Sequence, residues 1–178
     1  MTKTYQKLLE DIKIAVTFGS LKFDIELDGG FFGHLSDVYS EKHNHSSYEV
    51  QIITQGEGTF FVKQTKHNVR TGDCIIIERG VYHSLYGSTT DFKRIDFRFR
   101  ISEMKGNLSI YKSKDDNILK DTFLNGFVYK IIFDRLKIIN IVNEITNEFN
   151  NRKPCYYSAV RSLFSLLIVS IARELSPA

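Results

Sequence analysis

The sequence predicts a mostly β domain, an antiparallel β-barrel or sandwich followed by an antiparallel two-helix hairpin. Three observations carry that expectation. From about Phe18 to Ile101 the chain is a succession of short β-branched and aromatic runs punctuated by glycines: Gly29-Gly30, Gly33, Gly56-Glu57-Gly58, Gly72, Gly80 and Gly87. Such spacing is typical of many short antiparallel strands. Within 92–101, Ile95, Phe97, Phe99 and Ile101 alternate with Arg94, Asp96, Arg98 and Arg100, the period of a strand with two chemically different faces. Beyond residue 135 the period becomes helical.

The clearest strands are expected over 48–55, 59–64, 74–78 and 92–101, the last as a half-exposed strand with its charged face in water. The polar stretch 103–126, with a charged turn at 112–116, reads as a long connection with one short strand. Ile138, Ile141, Val142, Ile145 and Phe149 then recur at helical spacing, which predicts a helix over 135–150. Asn150-Asn151 and Pro154 stop it, and a second helix is expected over 157–174. That second helix carries a surplus of apolar surface: either it is sandwiched within the domain, or its outer flank, with Leu163, Leu166, Val169 and Ile171, forms a dimer interface, the second being the favoured reading. The domain reading is a β-barrel over 1–130 and a helical hairpin over 131–178, together one structural unit.

Composition excludes several classes. With 178 residues, 42% hydrophobic and 25% charged, the chain supports one core. It has no apolar run long enough to span a membrane. The N-terminal MTKTYQKLLEDIKIAV lacks the apolar stretch and cleavage site of a secretory signal, and two cysteines, Cys74 and Cys155, make no disulfide framework. The expected location is the cytoplasm. A net charge of +3 spread among acids gives no nucleic-acid footprint, and no helix-turn-helix, phosphate loop or Cys-x-x-Cys pair is present.

Chemistry concentrates in one segment, His43-Asn44-His45-Ser46-Ser47-Tyr48-Glu49. In a regular strand His43, His45 and Glu49 share a face. The glycine-bounded run from Gly72 leads through Glu78 and Gly80 to His83, a third imidazole if that strand folds back beside the first. Three neutral imidazoles and a carboxylate suit a divalent first-row metal. The same residues suit a hydrogen-bonded polar cluster holding an organic effector without metal, and this is the leading reading. No catalytic residue and no organic cofactor are assigned; a divalent metal is the one candidate cofactor.

The spacings His43-x-His45-x3-Glu49-x6-Gly56 and Gly72-x5-Glu78-x-Gly80-x2-His83 resemble the two cupin motifs. Three positions depart from them: Asp37 and Glu78 stand where a glycine and a proline are usual, and Gly87 where asparagine is frequent. More narrowly, His43 to Glu49 followed by Gln51 to Gly58, then Thr71-Gly72-Asp73 and Gly80-Val81-Tyr82-His83, looks like the N-terminal domain of AraC-type transcription regulators, over about residues 20–175. That resemblance implies a cupin-like barrel (double-stranded β-helix or jelly roll) and a pair of dimerising helices. It also implies that the chain continues into a C-terminal helix-turn-helix domain, through which alone the homodimer would meet DNA. The implied ligand is a small polar metabolite, a sugar or similar, bound by His43, His45, Glu49, Gln51 and His83, with Tyr82 and Arg98 as further candidates. Tyr48 is expected on the opposite face, as a packing aromatic. Two other readings remain: a stand-alone cupin metalloenzyme of dioxygenase or isomerase type with a three-histidine, one-glutamate site, and a sugar-binding module without a regulatory partner.

Overall fold

The computed structural model describes residues 13–27, 31, 39–104, 115–133 and 136–176. Gly29, Gly30, Gly33, Asp37, residues 112–114, Arg135 and most of the N-terminal stretch lie outside them. In chain order the elements are β1 (Ile14–Phe18), β2 (Leu21–Glu26), β3 (Tyr39–His43), β4 (Tyr48–Gln55), β5 (Glu57–Val62), β6 (Thr65–Arg70), β7 (Cys74–Ile77), β8 (His83–Gly87), β9 (Lys93–Glu103), α1 (Asp116–Leu124), β10 (Tyr129–Ile132), α2 (Lys137–Asn151) and α3 (Tyr156–Leu175).

Two antiparallel sheets face each other. One has the order β1-β2-β9-β4-β7-β10 and the other β3-β8-β5-β6. Their hydrogen-bond ladders do not join into a closed ring among the described residues. At one edge the sheets are linked instead by His67 on β6 and Tyr129 on β10, whose Nε2 and hydroxyl are 2.7 Å apart.

The alternation of β4 and β9 divides the interior in two. Val50, Ile52, Phe97 and Phe99 turn outward onto the helices, in one core with Val142, Ile145, Phe164, Leu167 and Ile171. Phe97 lies between Phe31 and Phe164, its ring 6.4 and 5.6 Å from theirs. The opposite side chains turn toward the second sheet, where Ile53, Phe60, Val62, Ile75, Ile77, Leu85 and Phe92 form a separate apolar cluster. Two glycines permit the close packing there. Gly56 turns β4 into β5 at φ +77°, and a side chain on Gly87 would strike the Phe92 ring at 2.6 Å.

Strands β4 and β7 and both C-terminal helices fall where the sequence places them, to within two residues. The strand expected over 59–64 is β5, shifted two residues toward the N-terminus, and the chain turns at Lys63, whose φ is +54°, into β6. The connection 103–126 contains a helix, α1, that the sequence reading missed. Only Ile118, Leu119, Phe123 and Leu124 are apolar there, too few for a clear stripe, and α1 is held by tertiary contacts: Leu119 and Phe123 enter the core, and Asp116 accepts from the Ser20 backbone and hydroxyl, both at 3.0 Å. The short strand expected within 103–126 is not among the described residues there; β10 follows beyond Gly126, at Tyr129–Ile132.

The charged face of β9 corrects a further expectation. Arg94 and Asp96 are buried, not solvated. β9 is a central strand, paired with β2 on one side and β4 on the other, and its polar side faces the second sheet. Arg98 is half-buried and Arg100, which pairs with Glu26, is exposed.

Candidate functional site

His43, His45, Glu49 and His83 come together, with one donor atom from each lying within 4.8 Å of all the others. The route differs from a single regular strand. His43 ends β3 in the smaller sheet, opposite His83 on β8 and past an irregularity in the pairing. Glu49 is on β4 in the larger sheet. His45 sits at the corner between them, fixed by the Gly80 amide donating to its carbonyl at 2.7 Å. The cluster therefore bridges the two sheets at one end of the barrel.

Backbone carbonyls orient two of the rings. Nδ1 of His43 donates to the Glu41 carbonyl at 2.7 Å, and Nδ1 of His83 to that of Val81 at 2.9 Å. A neutral ring held this way presents Nε2 as a lone pair. Glu49 Oε2 lies 2.7 Å from Nε2 of His83 and 3.5 Å from Nε2 of His45, yet neither Oε2 nor the His83 Nε2 has an aligned hydrogen-bond partner. A carboxylate oxygen and an imidazole nitrogen at that separation call for a cation between them, a proton on Nε2 or a metal.

Electrostatics supports the same reading. Burial pushes the Glu49 carboxyl up, but the His83 imidazole, the Gln51 amide and His45 pull it down further, to about 2. Burial lowers the His45 pKa, with Arg98, His43 and His83 adding to it against the attraction of Glu49. A neutral imidazole is the form a metal needs. Arg98 Nη1 lies 3.3 Å from Nδ1 of His45. While Arg98 donates there, the His45 proton sits on Nε2, so a metal at Nε2 requires that proton to move to Nδ1 and Arg98 to withdraw.

The residues fit a divalent ion. A first-row metal with bonds of about 2.1 Å holds its ligands about 3.0 to 4.2 Å apart, so movements of under about 1 Å close the set. Three nitrogens and one oxygen suit zinc, iron, manganese or nickel.

Gln51 stands beside the cluster, buried, donating to Glu49 Oε1 at 3.1 Å. Tyr48 points to the other side of β4, as expected: its hydroxyl donates to the Phe123 carbonyl at 2.8 Å and its ring stacks on Phe99. Tyr82 is exposed under Lys42 and does not join the cluster. Of the residues expected at a dimer interface, Leu166 is 46% exposed, Leu163 and Val169 are half-buried, and Ile171 is turned into the core of its own chain. Arg94 and Asp96 are the site neighbours that sequence reasoning missed. Their alternation with Phe97 and Phe99 was visible, but not that both faces of β9 are covered.

The sequence profile of the AraC-like ligand binding domain matches residues 26–124, more than half of the 178-residue chain. A comparison with curated proteins gives no match. Similar solved structures include a cupin-2 conserved barrel domain protein from Salinispora arenicola, 15% identical over 52% of this chain and 70% of that one, with a TM-score of 0.32. A cupin-2 domain protein from Shewanella frigidimarina is 15% identical over 58% and 94%, TM-score 0.30. A protein from Neisseria meningitidis is 13% identical over 56% and 100%, TM-score 0.32.

Proposed function

The chain belongs to the family of AraC-like ligand-binding domains, cupin-type in fold, and from that premise we propose that it is the effector-sensing and dimerising part of a transcription regulator. A small polar metabolite binds inside the barrel at His43, His45, Glu49, Gln51 and His83, and its occupancy controls a helix-turn-helix domain outside this sequence. The observation that carries this reading is the convergence of four ligating side chains from both sheets onto one point.

The same donor set makes a divalent metal part of the proposal. Bound there, the metal supplies a Lewis-acidic anchor for an oxygen of the effector. The protein's own groups do the rest: the Glu41 and Val81 carbonyls fix the ring orientations, and Gln51 holds the Glu49 carboxylate.

A sensor needs its ligand to favour one arrangement over another. β9 provides a connection. Asp96 and Arg98 face the chamber while Phe97 between them packs on Phe164 of α3, so a ligand that shifts β9 acts on the helix proposed to dimerise. That interface uses Leu163, Leu166 and Val169, since Ile171 is committed to the core.

A metal-dependent enzyme is the second reading, favoured by the three-histidine, one-glutamate set itself. Elemental analysis after chelator-free purification, combined with a thermal-shift metabolite screen, separates the two. The sensor reading expects a metabolite that raises the melting temperature of the wild-type protein and not that of a His43→Ala, His45→Ala variant. Near-stoichiometric metal in the wild type, lost from the variant, is expected with it. Metal with turnover of an added substrate favours the enzyme, and a metabolite response unchanged in the double variant removes these residues from the effector site.

A further inference from the structure

Next to the histidine cluster, the inner face of β4 and β9 holds a second set of buried polar groups whose hydrogen-bonding capacity is unmet in a definite pattern. Arg94 is 6% exposed, and its Nε and Nη1 have no hydrogen-bond partner. Asp96 Oδ2 lies 3.7 Å from that Nε, close enough to balance charge and too far to bond. Gln51 is fully buried. Its amide nitrogen is used by Glu49, and its Oε1 has no donor.

These groups share one surface. Gln51 is opposite Asp96, and Arg94 opposite Ile53, in the β4-β9 register, so Arg94 and Gln51 are diagonal neighbours about 7 Å apart at their Cβ atoms. The facing wall is apolar, with Phe60 and Leu85 from the smaller sheet and Ile75 from β7. A buried group left without its partner costs about 1–3 kcal/mol, more when charged. The pattern of what is missing therefore describes the missing partner. Arg94 lacks acceptors at Nε and Nη1, on different sides of the guanidinium, and a carboxylate supplies a charged acceptor whose negative charge offsets the buried cation. Gln51 Oε1 lacks a donor, which a hydroxyl close to that carboxylate supplies.

We propose that the chamber binds a small hydroxycarboxylic acid, its carboxylate on Arg94 and a hydroxyl on Gln51. This rests on the reading of the barrel as an effector site and narrows the effector from polar metabolites in general to acids. Gln51 ties the two halves of the chamber together, since the amide that would meet the ligand through its oxygen holds the Glu49 carboxylate through its nitrogen. A neutral polyol satisfies Gln51 equally well but leaves the guanidinium with only a distant aspartate.

The test uses matched acid and neutral pairs on the purified chain: D-gluconate and D-sorbitol, D-galacturonate and D-galactose, L-malate and 1,2,4-butanetriol. Thermal shift and titration calorimetry are read for wild type, Arg94→Gln and Arg94→Lys. The expected result is that the acid of at least one pair stabilises the wild type while its neutral relative does not. Its affinity should fall at least tenfold in Arg94→Gln and by less in Arg94→Lys, which keeps the charge and loses the planar set of donors. Should either variant fail to fold, the acid-to-neutral contrast on the wild type decides alone. A neutral relative binding as tightly as its acid, with affinity unchanged by Arg94→Gln, overturns the acid while leaving the barrel a sensor. Failure of all three acids to bind also overturns it, and the wider metabolite screen then decides the sensor reading separately.

Discussion

The two faces of the β4-β9 pair are built from alternate residues of the same strands and do opposite work. Outward, Val50, Ile52, Phe97 and Phe99 are packed against helices with aromatic rings at 5 to 6 Å. Inward, Glu49, Gln51, Arg94 and Asp96 are equally buried, yet each except Asp96 carries at least one polar atom without a hydrogen-bond partner. The first face contributes stability by burying apolar area. The second costs stability, and strands retain such a cost where a ligand or metal is to be met. Burial alone therefore does not identify a core, and the satisfaction of buried groups separates scaffold from site.

The largest effect that tests this division is expected from Phe97→Ala. Removing a fully buried ring between Phe31 and Phe164 should destabilise the domain by about 3–5 kcal/mol, read by chemical denaturation, and should loosen the seat of α3. A loss under 1 kcal/mol would mean that the outward face is not the scaffold. Glu49→Gln is expected to act next, through pH. Glu49 titrates near 2 in the fold, against an ordinary value of 4.5. Its ionised form thus contributes stability that is complete above about pH 4.5 and is lost as pH falls toward 2. The melting temperatures of wild type and Glu49→Gln in the presence of chelator should differ at neutral pH and converge across that window. A constant gap would show that Glu49 is not stabilised by its histidine and glutamine neighbours.

Much of this was legible in the sequence, for reasons that also explain what was not. β4 and the helices α2 and α3 follow from periodicity because each has one uniformly apolar face over many residues. The four-residue cluster was found from spacing and resemblance, although its geometry depends on a corner after His43 that puts His43 and Glu49 in different sheets. α1 was missed because its fixation is tertiary, through Asp116 onto Ser20. Arg94 and Asp96 were misread because alternation reports that two faces differ and not what each face meets. A charged face on a sheet open to water is wet, whereas the same face turned toward a second sheet is buried. Ile171 illustrates the converse: helical spacing shows surplus apolar surface on α3 without showing which part the chain keeps for itself.

Smaller effects sharpen the comparison from the inward side. Replacing the buried ion pair by apolar residues, Arg94→Met with Asp96→Leu, removes two buried charges, of which Arg94 has Nε and Nη1 without hydrogen bonds. Stability is expected to change by less than about 1 kcal/mol, or to rise, as happens when buried ion pairs are replaced by packed hydrophobes. Denaturation midpoints check this, and a loss comparable to that of Phe97→Ala would make the inward face scaffold after all.

The smallest effect on stability is expected at Leu166→Glu. This side chain is the most exposed large apolar group on α3, whereas Val160, Phe164, Leu167 and Ile171 are all buried. A charge there touches neither face of the β4-β9 pair, and the denaturation midpoint should move by no more than about 0.5 kcal/mol. If α3 forms the dimer interface, sedimentation should nevertheless change from dimer to monomer, because a carboxylate placed between two apolar helices loses its water without gaining a partner. A dimer that persists in Leu166→Glu places the interface elsewhere, and the coupling from the chamber through Phe97 to Phe164 would then end at a helix with no partner to move.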